Sequence, residues 1–581
     1  MGRVGSWTGL VGLSLLVSAQ VWSQPLAEIR GVEDPDMLAS LQAVIGESEP
    51  DRDGQGLALQ RARMASERAG RWLRAEGYYA ARVEARVERG ATVVVAIEPG
   101  PRFSVQEIAV DIVSEDPGVE VERARTHVLQ TLPLEPGEPL VAAQVIDAET
   151  MGRIALQNGG WPDAQTGERS VTVDHAVMGA QILYRYETGP FSRYGEIELV
   201  SAGWDKAFIA RLSPLETGAE ASAAQLQGYR NRLAALPGVS SAQVELGSIG
   251  DDGHRPVRVA LEPGLRHTID VALDASTSDG AGAQTNWTRR NLFGREEALT
   301  LGLQVATLTQ SAEARISLPH WRRYDQTLAL TTRVKTEDTD AFEQTELSAQ
   351  GELTWRRDEH LQLGVSAQGD ISRITDANGP RDTYTLLFGL GAGYDRRSDP
   401  LDPRDGVRGM VTLRPAMTFG DTDARYFKLE SEGSYYRSLG EDLTGAVRVR
   451  AGSIFGAEAA DLPADLRFYA GGGGSVRGYA YQTLSPPGAD GDPFGGLSVF
   501  ETSLEMRWRS PRSPWGAVAF IDAGAASDNA QLNPEDVRTA IGAGIRYDLG
   551  FAPLRLDVAV PLERLESEDP FQVYLSLGQA F

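Results

Sequence analysis

The sequence predicts a two-part chain: tandem α+β modules with the order β-α-α-β-β, then an all-β transmembrane barrel of about 16 antiparallel strands. Three observations predict this. The N-terminal half mixes helical and strand periodicities and repeats one order of elements three times. From residue 266 to 581 apolar and polar residues alternate with period two, stretch after stretch. No apolar run beyond the N-terminus reaches the ~18 residues of a spanning helix. A chain exported without such a helix either stays soluble or crosses a membrane as a closed sheet.

Residues 1–23 read as an export signal. Arg3 precedes the short apolar core 10–17, and Val21 and Ser23 stand at plausible −3 and −1 cleavage positions, with Ala19 an alternative end. Three modules follow, at 26–102, 103–190 and 191–265. In each, a helical stretch ends at a Gly beside a large or β-branched residue: Gly77-Tyr78, Gly160-Trp161, Gly238-Val239. A strand pair then closes on an acidic-x-Gly turn: Glu98-Pro99-Gly100, Glu187-Thr188-Gly189, Glu262-Pro263-Gly264. In the first module, helices are expected over 36–47 and 56–76. Leu57, Ala62, Ala65, Ala69 and Leu73 supply the apolar face of the second.

The span 266–581 is the barrel. Leu299, Leu301, Leu303 and Val305 share one face, with Thr300, Gly302 and Gln304 opposite. Leu361, Leu363 and Val365, and then Tyr384, Leu386, Phe388 and Leu390, repeat the pattern. Polar and glycine residues on the second face suit a wet lumen and would be wasted in a soluble core. At about 20 residues per strand and connection, the span holds on the order of 16 strands. The last strand is expected over 571–581, with Phe571, Val573, Leu575 and Leu577 at two-residue steps and a terminal Phe581. Such an end is similar to the terminal recognition signal of outer-membrane proteins, with Gln579 a departure from it.

Composition narrows the chemistry. With 81 Asp+Glu against 56 Lys+Arg and a net charge of −25, the chain lacks the basic balance of a nucleic-acid binder. It has no Cys, hence no disulfide or thiolate metal site, and its six His are scattered. No cofactor and no enzymatic activity are expected. The nucleophile motif GxSxG is missing, Gly473-Gly474-Ser475-Val476-Arg477 departing from it at the last position.

Residues 463–481 read PADLRFYAGGGGSVRGYAY. No Gly-Lys-Ser/Thr follows the Gly run, so it is not a phosphate loop. From Trp515 the chain reads WGAVAFIDAG, and from Ile541 IGAGIRYDLGFAPLRLDVAV. In this order they resemble the loop and strand motifs of the β-barrel assembly superfamily, whose members carry polypeptide-transport-associated (POTRA) domains. The chain resembles the TamA branch, the outer-membrane subunits of the translocation and assembly module, over its whole mature length. The BamA branch, with five POTRA domains, and the two-domain secretion branch differ in repeat count.

The resemblance implies that Val476, Arg477, Gly478 and Tyr479 cap a long extracellular loop folded back into the lumen. Arg477 would there meet Asp522 or its strand, marked by Phe520, Asp522 and Gly524. A closed barrel offers no edge to a client strand unless its first and last strands pair poorly. A lateral gate is therefore expected between strand 268–276 (Ile269, Val271, Leu273) and the last strand (Val573, Leu575, Leu577, Phe581). The implied function is insertion or secretion of β-barrel proteins such as autotransporters, in the outer membrane of a Gram-negative bacterium with POTRA domains in the periplasm. The implied partners are a TamB-like inner-membrane-anchored protein on the first POTRA domain, unfolded clients and outer-membrane lipid. Phospholipid transport with the same partner and a two-partner secretion pore remain open alternatives.

Overall fold

The computed structural model describes residues 24–48, 55–89, 92–114, 119–489, 491–550, 552–564, 569–577, 579 and 581. The signal expected at 1–23 lies outside them. The described chain divides into two compact units. One holds residues up to 196 with 215–228 and 246–257; the other holds 197–214, 229–245 and 258–581.

Before the barrel, three small sheets each carry two helices. In the first, helix Pro35–Ile45 starts with Asp34 accepting hydrogen bonds from the amides of Asp36 and Met37, at 2.9 and 3.3 Å. Helix Gln55–Ala75 turns a stripe of small residues inward: Ala58, Ala62, Ala65 and Ala69, ending at Leu73. The stripe lets the helix sit close on Val93, Val95 and Ile97 of strand Val93–Glu98. The second group joins helices Val119–Thr131 and Ala142–Asn158 to a four-stranded sheet. Tyr184 and Tyr186 are buried there, their hydroxyls donating to the carbonyls of Val145 and Glu149. The third carries helices Lys206–Arg211 and Ala223–Ala234 on strands Arg193–Leu199, Val239–Leu246 and His254–Pro263.

The barrel is closed and has 16 strands, each antiparallel to the next, from His267–Ser276 to Gln572–Leu577. Leu303, Leu330, Phe388 and Leu390 are exposed on its outer face. So much apolar surface is unstable in water and stable against lipid. The chain enters at His267, so odd-numbered strands rise from this entry rim and even-numbered strands return to it. Five connections at the far rim are short: 277–279, 307–308, 339–342, 377–378 and 421–423. By contrast, segment 456–497, between strands Leu443–Phe455 and Ser498–Arg509, folds against the inner wall. Val476, Tyr479 and Phe468 of this segment are buried in one cluster with Val499 and Ala540 of the wall.

Within the second unit, two entry-rim turns pack against helix Lys206–Arg211 and residues 229–238. Glu296 is buried, adopts φ +64° and accepts a 2.8 Å hydrogen bond from the Gly238 amide. Arg295 pairs with Asp205 at 3.0 Å. In the next turn His320 stacks on Tyr324 with centroids 4.7 Å apart and lies 6.2 Å from the Phe208 ring; Arg232 covers Tyr324 at 4.4 Å. Burial holds the His320 imidazole below its ordinary value of 6.5, opposed by a hydrogen bond to the Tyr324 carbonyl and aided by Arg356, Arg211 and Arg232. The neutral ring is therefore the form that this packing stabilises. Its contribution is present above pH 6.5 and is lost as pH falls through the interval below that value. Amide exchange of 206–211 and 320–325 is expected to speed up over that range. His320→Asn, which tolerates the positive φ, should flatten the pH response.

Candidate functional site

The site grows from strand alternation. On strand Trp515–Ser527, Val518, Phe520, Asp522 and Gly524 face the lumen while Ala519 and Ile521 face outward. On strand Ser498–Arg509, Ser503, Glu505 and Arg507 point inward, and on strand Pro553–Pro561 so do Arg555 and Asp557. Register sets Ser503 opposite Asp522 and Glu505 opposite Phe520.

Segment 456–497 delivers Arg477 into this cage. Its Nε lies 2.7 Å from Asp522 Oδ2, and its Nη2 lies 2.9 Å from Asp522 Oδ1. Nη1 donates to Asp557 at 3.2 Å, and Nη2 also reaches Glu505 at 2.8 Å and Ser503 Oγ at 3.1 Å. The guanidinium stacks on Phe520, 3.5 Å from the ring centroid. The Asp522–Arg477 contact is bidentate, the strongest form of this pairing. Around it, Glu505 pairs with Arg507 at 2.7 Å, and Asp557 pairs with Arg546 and Arg555. Three buried carboxylates thus meet four guanidiniums. Asp522 is the exception among them: its one cation among the described residues is Arg477.

Gly478 adopts φ +103°, and a Cβ there would stand 2.9 Å from Ala540 Cβ, so the turn requires glycine. Its amide donates to the Tyr574 hydroxyl on the last strand at 3.0 Å. Tyr479 is buried and donates to the carbonyl of Thr539 at 3.0 Å. Val476 packs against Gly524, where a Cβ would lie 2.9 Å from Val476 Cγ2. Gly473 donates to Asp279, in the turn after the first strand, at 3.1 Å. The segment therefore touches both sides of the junction between first and last strands. A second anchor is Arg467, buried 3.1 Å from Asp376, its guanidinium 3.9 Å from the Phe494 ring centroid.

That junction is thin. Among the described residues, only Asp274–Ser576, Ala275–Leu575 and Ser276–Tyr574 pair in register, with the Thr277 amide donating to the Val573 carbonyl at 3.0 Å. Neighbouring strands elsewhere share from six to sixteen such pairs. Thr277 points its amide across the junction, so by alternation Ile269 and Val271 turn their N–H and C=O groups the same way. Neither has a register partner there among the described residues. Ile269, Val271 and Leu273 are exposed on the outer face, as are Leu575 and Leu577 on the other side.

One expectation is corrected. The last strand is Gln572–Leu577, not 571–581, and Phe581 does not lie at the junction. Its ring lies 6.2 Å from Tyr436 and under the Arg507 guanidinium at 4.9 Å, and Arg507 donates to its carbonyl at 3.3 Å. A buried cation and an aromatic inside the lumen outcompete continued pairing with a strand edge. Glu505, Asp557, Tyr574 and the Arg467–Asp376 pair were not singled out from sequence. The signal for the first was the run of charges at every second or fourth position of Ser498–Arg509: Glu501, Glu505 and Arg507.

A family model described as the Omp85 superfamily domain matches residues 270–581, over half of the chain. Among curated proteins, the chain is 30% identical over 168 residues to the outer membrane protein assembly factor BamA of Nitratidesulfovibrio vulgaris. That match covers 28% of this chain and 21% of the relative, about a fifth of its length. Among solved structures, BamA from Haemophilus ducreyi lacking POTRA domains 1–3 aligns with a TM-score of 0.68 at 14% identity, over 82% of this chain and all of that one. CdiB from Acinetobacter baumannii aligns at 0.48 and 14%, over 83% and 90%. The chain belongs to the Omp85 superfamily. It is a Gram-negative outer-membrane barrel whose α/β modules lie in the periplasm, which makes the entry rim periplasmic and the far rim extracellular.

Proposed function

We propose that this Omp85 superfamily member is a TamA-type assembly factor, receiving β-barrel clients such as autotransporters at the junction between its first and last strands. The thin junction carries the reading. Backbone polar groups left unpaired in lipid cost several kcal/mol each. Ile269 and Val271 therefore form an edge that gains by receiving a strand. The Arg477 cage acts as the latch. It anchors a segment that touches Asp279 on one side of the junction and Tyr574 on the other.

Residues 26–102, 103–190 and 191–265 act as three POTRA domains, and that number favours the TamA branch over the five-domain and two-domain branches. The first of them docks a TamB-like periplasm-spanning partner. Photo-crosslinking from Ile269 or Val271 in cells tests the reading. Adducts with autotransporter precursors that fade when the TamB-like partner is depleted are the expected result. Crosslinks to lipid alone would overturn protein insertion as the activity.

A further inference from the structure

The first strand carries two carboxylates that no described residue of the barrel pairs with as an ion. Asp270 and Asp274 lie on the same face as Ser276, which stands opposite the lumen-facing Tyr574. Asp270 faces Asn286 and Asp274 faces Gly282 on the second strand. Both are exposed, and neither has an ion pair among the described residues. At other places the wall matches charge across strands: Glu313 with Arg333 at 2.5 Å, Glu430 with Arg414 at 2.7 Å, Glu501 with Arg450 at 3.0 Å.

The two unmatched carboxylates sit along the edge that the thin junction leaves open. The chain's own last strand does not answer them. Ser576 stands opposite Asp274, and no described residue of the last strand pairs with Asp270. A first strand from a second copy would set carboxylate against carboxylate, which is destabilising.

We infer that the open edge of the first strand selects client strands bearing Lys or Arg at two lumen-facing positions four residues apart, opposite Asp270 and Asp274. The inference rests on the junction being a receiving edge and adds which strands it prefers. In an antiparallel pair, residues four apart on the incoming strand fall directly opposite residues four apart on the receiving one. An opposite-charge pair directly across two strands stabilises them, and a like-charge pair does the reverse. The backbone supplies affinity for any strand, and the carboxylates supply the preference among strands.

The test uses the full chain reconstituted in phospholipid nanodiscs. The probe is an 11-residue alternating peptide with a photoreactive residue on its apolar face and Lys at two polar positions four apart. A second peptide carries Gln at both. The Lys peptide is expected to label the first strand about threefold to tenfold more strongly than the Gln peptide. Asp270→Asn with Asp274→Asn should equalise the two, with folding checked by heat-modifiable migration. Asp270→Lys with Asp274→Lys should reverse the preference in favour of a Glu peptide. Equal labelling of the native chain by Lys and Gln peptides would overturn this inference and leave the receiving edge standing. No labelling by any peptide would overturn the receiving edge, and the inference with it.

Discussion

Replacing Arg477 by Ala is expected to free segment 456–497 from the inner wall and to cost the barrel about 3–5 kcal/mol, the usual penalty for stranding a buried charge. The cost concentrates on Asp522. Glu505 keeps Arg507, and Asp557 keeps Arg546 and Arg555, but Asp522 is 0% exposed and loses its cation. A double-mutant cycle separates charge from packing. Adding Asp522→Asn to Arg477→Ala removes the stranded carboxylate and should recover a measurable part of the loss. Arg477→Lys should fall between, because an ammonium does not reproduce the bidentate fork. Unfolding in urea and protease cleavage within 456–497 report the two effects. If the Ala variant resists both like the native chain, Arg477 does not hold the segment. Client assembly in cells should fall with release of the segment, well before the barrel itself is lost.

The second large effect is expected from locking the junction. Ala275 and Leu575 are register partners on the outer face, and the native chain has no Cys to interfere. Ala275→Cys with Leu575→Cys brings two Cβ atoms within the span of a disulfide. The oxidised barrel should be more stable, by about 2–4 kcal/mol for a typical cross-link. It should also lose client insertion, which a reductant restores. Full insertion activity in the locked state would show that clients do not enter by this route.

Much of this architecture was legible because a membrane barrel imposes one two-residue period with two faces on its strands, one for lipid and one for water. The alternation at 299–305 and at 384–390 needs no tertiary information to be read. The Arg477–Asp522 contact was reachable because both ends sit in recognisable motifs. Glu505 and Asp557 were not, since their meeting depends on how four strands shift against one another. A lone carboxylate on a lumen face looks like any other polar position until register is known. Phe581 misled for a related reason. Its two-residue spacing fits the strand, but Tyr436 and Arg507, which draw it inward, lie far away in sequence.

The short hairpins 277–279, 307–308, 339–342, 377–378 and 421–423 also shape what the cell displays. The longest stretch available for outward display, 456–497, is turned inside. To an antibody or a phage arriving from the medium, five of the eight connections at this rim are little more than bare turns, a poor target for recognition. Turns 307–308 and 421–423 are the places to graft a reporter epitope, because Asp279 of the first turn and Phe342 of the third touch the inward segment.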